Sequence, residues 1–223
     1  MAMATQTPAP FSCVTPGRWA ALCRNWGAGG GAAENGYSRL VDAWSTGARA
    51  YHGLAHLEAC LREFDAARSL PVNAVAVETA LWFHDAVYDP RAGDNEERSR
   101  DLARAFLHKA GAEPALTDLV ARLILVTKTH EPEAAGVPDG GLMVDVDLAI
   151  LGQPRAEFQA YDRAIREEYA WVPTEIYEEK RREVLQRFLL RPRLYQTDFF
   201  FGKYEAQARA NLAWRLDPTH SPL

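Results

Sequence analysis

Apolar residues recur at spacings of three and four along most of the chain, and this periodicity restricts the fold more than any other feature. Alternating patterns typical of strands are scarce, and proline and glycine separate the periodic segments. We therefore predict an all-α fold. The predicted helices cover residues 17–26, 37–46, 51–69, 72–86, 95–110, 114–129, 143–151, 154–170, 174–190 and 200–216.

The length favours a single helical domain. A chain of 223 residues, 48% of them hydrophobic, can bury one core of useful size. We expect a disordered N-terminal tail at residues 1–15 and one helical bundle at 16–223. Within the bundle, the motifs described below occupy residues 49–152, and 153–216 form a C-terminal helical extension. The glycine-rich segment 27–36 is expected to be a flexible loop.

Charge and cysteine content exclude several classes of protein. A formal net charge of -5 argues against broad binding to nucleic acid polymers or to membranes, which needs a basic surface. There is no secretory signal pattern and no apolar run near the roughly 18 residues of a membrane span. Three cysteines without a CxxC pair predict neither a disulfide framework nor a cysteine zinc site, and favour a cytoplasmic protein. The sequence leaves a homo-oligomer open.

The segment YHGLAHLE (51–58) contains two histidines, His52 and His56, that are four residues apart. On a helix they would share a face, nearly opposite the leucine-rich stripe. That face also carries the small residues Ala55, Ala59 and Cys60, which allow another helix to approach closely. The pattern therefore indicates an inward-facing pair. The alternative is two unrelated histidines, one of which caps or hydrogen-bonds the backbone.

The segment LWFHDAVYD (81–89) places His84 and Asp85 at the end of an apolar run. Residues 72–87 are apolar nearly all round, which predicts a buried helix. A buried charged aspartate is unfavourable unless it is paired or binds a metal. The alternative is a helix that ends in water, and the aromatic residues around the doublet weaken it.

Two further aspartates lie in an apolar run, GGLMVDVDLAILG (140–152). Asp145 and Asp147 face about 200° apart on a helix, so only one can serve the same site as the histidines. We expect Asp145 to be the N-cap of a helix that starts at Val146, which favours Asp147 as the inward residue. A histidine, the His-Asp pair and this aspartate suit a divalent ion such as Mn, Fe, Co, Ni, Zn or Mg.

Five other polar positions carry weaker signals. Asp94 and Glu97 have the spacing of a helix cap. His130 continues the inward stripe of its helix and either approaches the site or simply ends the helix. Lys128 would meet a phosphate or lie in solvent, and His108 is expected to be exposed near a helix C-terminus.

These segments together carry a resemblance to a known family. YHxxxH, WFHDxVY, DNEERS and VDLAILG occur in this order between about Arg49 and Gly152. The chain resembles the HD superfamily of metal-dependent phosphohydrolases, which is named for its His-Asp doublet. The resemblance implies an HD-type helical bundle. It also implies four metal ligands: His56, His84, Asp85 and Asp147.

The same resemblance implies roles for three further residues. His52 occupies the position at which related cyclic-nucleotide phosphodiesterases carry a general-acid histidine. Asn95 and Glu96 match an Asn-Glu signature that follows the doublet in the most similar subgroup. Glu96 would orient water or bind a second metal. Asn95, Lys128 and His130 are the candidate substrate-binding residues.

The expected function is hydrolysis of a phosphomonoester or phosphodiester, of a nucleotide for example, by a metal-activated water. The partner would be a small phosphorylated substrate. One alternative is the di-iron oxygenase activity of some HD proteins, which needs further histidines such as His108 and His130. Another is a non-catalytic binding or sensor protein that retains the metal for structure.

Overall fold

The computed structural model describes residues 11–27, 31–47, 49–131 and 136–219. Within these ranges the chain forms ten α-helices, one 3-10 helix and no strand, which confirms the all-α prediction. The helices are α1 (Pro16–Asn25), α2 (Gly31–Ser45), α3 (Leu54–Ala66), α4 (Ala74–Phe83), α5 (Asn95–Ala110), α6 (Pro114–Thr129), α7 (Gly140–Asp147), the 3-10 helix (Leu148–Gly152), α8 (Arg155–Glu168), α9 (Thr174–Leu190) and α10 (Asp198–Leu216).

Helix α4 lies at the centre of the core. Every residue from 76 to 83 is buried, as expected for a helix that is apolar nearly all round. Asn73 caps its start by accepting a hydrogen bond from the Ala76 amide at 2.9 Å. Near its end the Trp82 ring packs 5.1 Å from that of Trp19. Because α4 is buried throughout, the residue that follows it, His84, is also fully buried.

Helix α3 begins three residues later than the sequence predicts, at Leu54. Its inward face carries the expected apolar stripe, including the fully buried Leu57 and Leu61. Gly53 is the N-cap and has an extended conformation, so His52 lies in a turn before the helix. The prediction that both histidines share one helical face is therefore wrong, although both reach the same region.

Described parts of two segments that are expected to be loose make defined contacts, whereas residues 1–10 and 28–30 lie outside the described ranges. Residues 12–14, placed in the disordered tail by the sequence, donate their backbone N–H groups to the Glu58 carboxylate at 2.8–3.0 Å. The glycine-rich loop is also shorter than predicted, because α2 already begins at Gly31. Gly36 packs closely within this helix: a Cβ there would lie 2.5 Å from the Phe106 ring.

The C-terminal extension packs back onto the motif-bearing helices. Asn211 of α10 donates to the backbone oxygens of Leu151 and Gln153, both at 2.8 Å. The extension therefore holds the segment that follows α7, and the last residue of α8, Glu168, reaches the turn that contains His52. In the described ranges, no helix combines the length and apolarity that a bilayer crossing requires.

Candidate metal centre

Three helices bring two histidines and an aspartate together. His56 lies in the first turn of α3, His84 directly follows α4, and Asp147 ends α7. The Nε2 atoms of the two histidines are 3.2 Å apart. Asp147 Oδ1 lies 3.2 Å from Nε2 of His56 and 3.7 Å from Nε2 of His84. These atoms, which the sequence separates by up to 91 positions, share one small volume.

A cysteine completes the group. Cys60 lies one turn after His56 and is buried, and its Sγ is 3.6 Å from Nε2 of His56. One ligand atom from each of His56, Cys60, His84 and Asp147 lies within 4.8 Å of all the others, so this group could hold a metal ion. Burial raises the pKa of the Cys60 thiol well above its ordinary value. All three cysteines of the chain are free.

Asp85 approaches the same group from a more open side. Its Oδ2 is 3.4 Å from Nε2 of His84 and 3.8 Å from Nε2 of His56, and its side chain is 13% exposed. Asp85 lies in the turn after α4, so the doublet does mark a helix end. This helix end is inside the protein, however, and not in water.

Backbone contacts fix the orientation of the His84 ring. Its Nδ1 lies 2.9 Å from the carbonyl oxygen of Leu81, which can only accept a hydrogen bond. Nδ1 therefore carries a proton, and in the neutral ring Nε2 presents its lone pair to the group. A histidine oriented in this way is typical of metal ligands.

The group favours a positive charge. Burial lowers the pKa of His84, but the carboxylates of Asp85 and Asp147 outweigh burial and raise this pKa to about 9. Burial acts against ionisation of Asp147, yet hydrogen bonds from three imidazoles hold its pKa well below the usual range. Without a metal, a proton on His84 balances part of the negative charge. A divalent cation would do so more completely.

His130 supports Asp147 from the other side. It follows α6 with φ at 56°, a left-handed conformation, and its Nε2 lies 3.1 Å from Asp147 Oδ2. Oδ1 of Asp147 thus faces the two histidines while Oδ2 meets His130. Arg191 holds this turn by donating to the His130 carbonyl at 2.9 Å. His130 therefore does approach the site, as one of its two sequence interpretations required.

His52 lies beside the group and is paired with Glu168. Its Nδ1 is 2.7 Å from Glu168 Oε2, and its ring stacks on Tyr88 with centroids 4.3 Å apart. Glu168 also accepts from the backbone amides of Tyr51 and His52, and from the Tyr88 hydroxyl at 2.7 Å. Despite burial, these donors lower the pKa of Glu168 to about 2. The His52 ring centroid lies 5.8 Å from that of His56.

Arg49 links the turn of His52 to the turn of Asp85. Its guanidinium donates to the carbonyl oxygens of His52 at 2.6 Å, Asp85 at 2.9 Å and Ala86 at 3.1 Å. It also lies 5.4 Å from the centre of the Tyr88 ring. One side chain therefore sets the spacing between the two turns.

Three predicted site residues surround this centre without joining the group. Glu96 is partly buried at the start of α5, where desolvation and then the charge of Asp85 raise its pKa. Asn95 uses both ends of its amide on the backbone of Asp89. Lys128 is exposed and donates to Glu97 at 2.5 Å and to the Gly93 carbonyl at 2.9 Å. The side chains of Asn95 and Lys128 are thus hydrogen-bonded to other groups of the protein.

Asp94 is the N-cap of α5, where its spacing to Glu97 predicts the start of a helix, but its side chain makes no capping bond and Glu97 pairs with Lys128. The prediction for Asp145 is wrong. Asp145 lies inside α7, because this helix begins earlier than predicted, at Gly140. The Asp145 carboxylate accepts hydrogen bonds from Gln196 and Thr197 and so fastens α7 to the segment before α10.

Sequence reasoning missed two residues of the site. The sequence pattern identifies Cys60 only as a small residue. Its position four residues after His56 on a helix, however, places both side chains on one face. Glu168 follows the motif region and is brought near His52 only by the fold. In contrast, His108 is exposed, as predicted. Searches for related proteins returned no matching family model, curated protein or solved structure. The helical fold and the group that could hold a metal ion are compatible with an HD-type fold.

Proposed function

We propose that this chain is a metal-dependent phosphohydrolase that cleaves a phosphomonoester or phosphodiester bond in a small substrate. The observation that carries the proposal is the convergence of His56, His84, Asp85 and Asp147. Two helices and the turn after α4 provide these side chains, and burial of so many polar groups is unfavourable without a cation. The order of these residues along the chain also supports the HD resemblance.

The side chains fit a divalent ion, since imidazole nitrogen and carboxylate oxygen are donors that such ions accept. His56, His84 and Asp147 would hold it, with Asp85 on the open side. An ion bound there would polarise a phosphate oxygen and lower the pKa of a water. His84 is kept in the required tautomer by Leu81, and Asp147 is oriented by His130.

His52 is suited to protonate the leaving oxygen. Glu168 occupies its Nδ1, which leaves Nε2 to face a ligand. The same carboxylate raises the pKa of His52 despite the opposing effect of burial, which favours the protonated ring that a general acid requires. Glu96, beside Asp85 and with a raised pKa, would orient the attacking water.

The test combines metal analysis with an activity assay. We would purify the full chain, measure its metal content and assay it with added Mn or Co against a phosphodiester, a phosphomonoester and a panel of nucleotides. Hydrolysis of the ester that the wild type cleaves should be lost in His84→Ala and Asp85→Ala. It should persist in His108→Ala, a control that removes an exposed histidine. Equal activity in all four proteins would reject this site.

Two other results would favour the alternative functions. Two bound irons, oxygen consumption and no phosphate release would indicate a di-iron oxygenase. That pattern needs histidines beyond the doublet, and of the two available only His130 lies near the group. Bound metal with no turnover of any phosphate ester would favour a binding or sensor protein.

A further inference from the structure

Cys60 is a fifth donor in a site for which the HD resemblance supplies only four. It is 2% exposed, whereas the Asp85 side chain is 13% exposed, so the thiol approaches from the interior and the carboxylate from the open side. Both stand on elements that also provide a histidine: Cys60 follows His56 on α3, and Asp85 follows His84.

We propose that Cys60 is a metal ligand and that the centre therefore selects a thiophilic ion, namely zinc, ferrous iron or cobalt, over magnesium and manganese. Thiolate ligands favour the first group of ions, and sites made of carboxylate and water favour the second. The sulfur is thus the donor that narrows the range of ions which imidazole and carboxylate alone would accept.

Four of the six separations within the group are close to the edges of a tetrahedral site. Bonds of about 2.0–2.1 Å to nitrogen or oxygen and about 2.3 Å to sulfur imply edges of roughly 3.3 Å between N or O donors and roughly 3.5 Å from N to S. The two Nε2 atoms are 3.2 Å apart, and Asp147 Oδ1 is 3.2 and 3.7 Å from them. Cys60 Sγ is 3.6 Å from Nε2 of His56.

One adjustment is needed for coordination. Sγ is also 3.8 Å from Nδ1 of His56, so the thiol lies against the edge of the imidazole ring. Coordination therefore requires the sulfur to turn toward His84 and Asp147, whose ligand atoms already lie within 4.8 Å of it.

The chemistry of binding is simple. The neutral thiol loses its proton to solvent, one metal–sulfur bond forms, and no oxidation state changes. The proposal rests on the metal site of the proposed function and not on hydrolysis. It therefore stands or falls separately from the activity.

The test uses cobalt as a spectroscopic probe. The full chain would be stripped with a chelator and titrated anaerobically with Co(II). A thiolate ligand should produce an intense near-ultraviolet sulfur-to-cobalt charge-transfer band. This band should disappear in Cys60→Ser and Cys60→Ala and remain in Cys13→Ser, which removes a cysteine outside the group. Circular dichroism would verify that each variant keeps its helical content.

A competition titration gives the second measurement. Loss of Cys60 should weaken zinc binding by at least about tenfold, while manganese binding should change little. Visible cobalt bands without the charge-transfer band would overturn the proposal, as would equal losses for zinc and manganese. In that case, retained hydrolysis would leave the proposed function intact. A charge-transfer band in a protein that hydrolyses nothing would reject only the hydrolase. A folded wild type that binds no cobalt would reject both.

Discussion

The Nδ1 atom of His52 lies 2.7 Å from Oε2 of Glu168, although 116 positions separate the two residues in the chain. The same carboxylate accepts a hydrogen bond from the hydroxyl of Tyr88, whose ring stacks on His52. His52 is thus held by one ring and one carboxylate, with 22% of its side chain exposed. A histidine fixed at one nitrogen and accessible at the other is suited to transfer protons.

We expect Glu168→Gln to impair turnover more than substrate binding. Glutamine accepts hydrogen bonds at one oxygen only, so it cannot replace a carboxylate that accepts from the Tyr51 and His52 backbone amides at Oε1 and from His52 and Tyr88 at Oε2. The pairing that orients His52 would then be disturbed, and the charge that raises its pKa would be lost. General acid catalysis contributes roughly 10²–10⁴-fold, so kcat should fall by about 10²-fold with little change in KM. Steady-state kinetics with the best substrate found would measure this.

The neighbouring Glu167 offers a matched control, because its side chain is exposed and carries the same charge. Glu167→Gln should retain wild-type kinetics. The pH profile separates positioning from general damage: the alkaline limb of kcat should move to lower pH in Glu168→Gln. An unshifted limb, or an equal loss in both variants, would contradict the role assigned to Glu168.

The sequence predicts the helices well where local signals are strong. The bounds of α5, α6 and α9 agree with the predicted 95–110, 114–129 and 174–190. Each of these three helices has a proline or glycine near its ends, so a local stop signal coincides with the end of the apolar periodicity. The start of α3 was misplaced because a tertiary contact, Glu168 with the amides of residues 51 and 52, holds the preceding turn.

The candidate site shows the same difference between local sequence signals and tertiary contacts. His56, His84 and Asp147 lie together as their motifs indicate. Glu168 could not be predicted, because its pairing with His52 depends on how α8 returns to the motif region. Asp145 was assigned to a cap from its neighbours alone, and the start of α7 at Gly140 removed the basis for that assignment. Local sequence patterns thus do not predict contacts between side chains that are distant in the sequence.

The contribution of the His52–Glu168 pair to stability should depend on pH. The pKa of Glu168 is lowered to about 2 from its ordinary 4.5, so its contribution is complete above pH 4.5 and is lost as pH falls through about 2. The pKa of His52 is raised above 6.5, so its contribution is complete below pH 6.5 and is lost as pH rises through the raised value. Wild type and Glu168→Gln should therefore differ most between pH 4.5 and 6.5.

Urea unfolding of chelator-treated protein across this pH range would measure the difference. We expect about 2–3 kcal/mol at the maximum, on the order of the shift in the Glu168 pKa. The difference should narrow at both lower and higher pH. A constant difference across the range would mean that the pair contributes through packing alone.

Metal affinity should rise with pH. The pKa of His84 is raised to about 9 without a metal, so an entering ion must displace a proton from this ring below that pH. Release of this one proton should increase the apparent affinity by about tenfold per pH unit well below pH 9, and this increase should level off near that pH. Competition with a chelator of known pH dependence would measure it, and calorimetry in two buffers would count the protons released. His108→Ala should keep the same slope, and a flat profile would contradict the protonated His84.

Substitution of Asp145 should affect stability and substitution of Asp147 should affect metal affinity, although the two residues are only two positions apart in α7. The Asp145 carboxylate accepts from the Gln196 amide and from the amide and hydroxyl of Thr197, all at 2.7 Å, whereas Asp147 faces His56 and His84. We expect Asp145→Asn to bind metal normally and to lower the free energy of unfolding by about 1–3 kcal/mol, because a buried donor loses its acceptor. Asp147→Asn should keep its fold and lose metal affinity. Elemental analysis and urea unfolding of the two isosteric variants would show this, and loss of metal in Asp145→Asn alone would reverse the assignment.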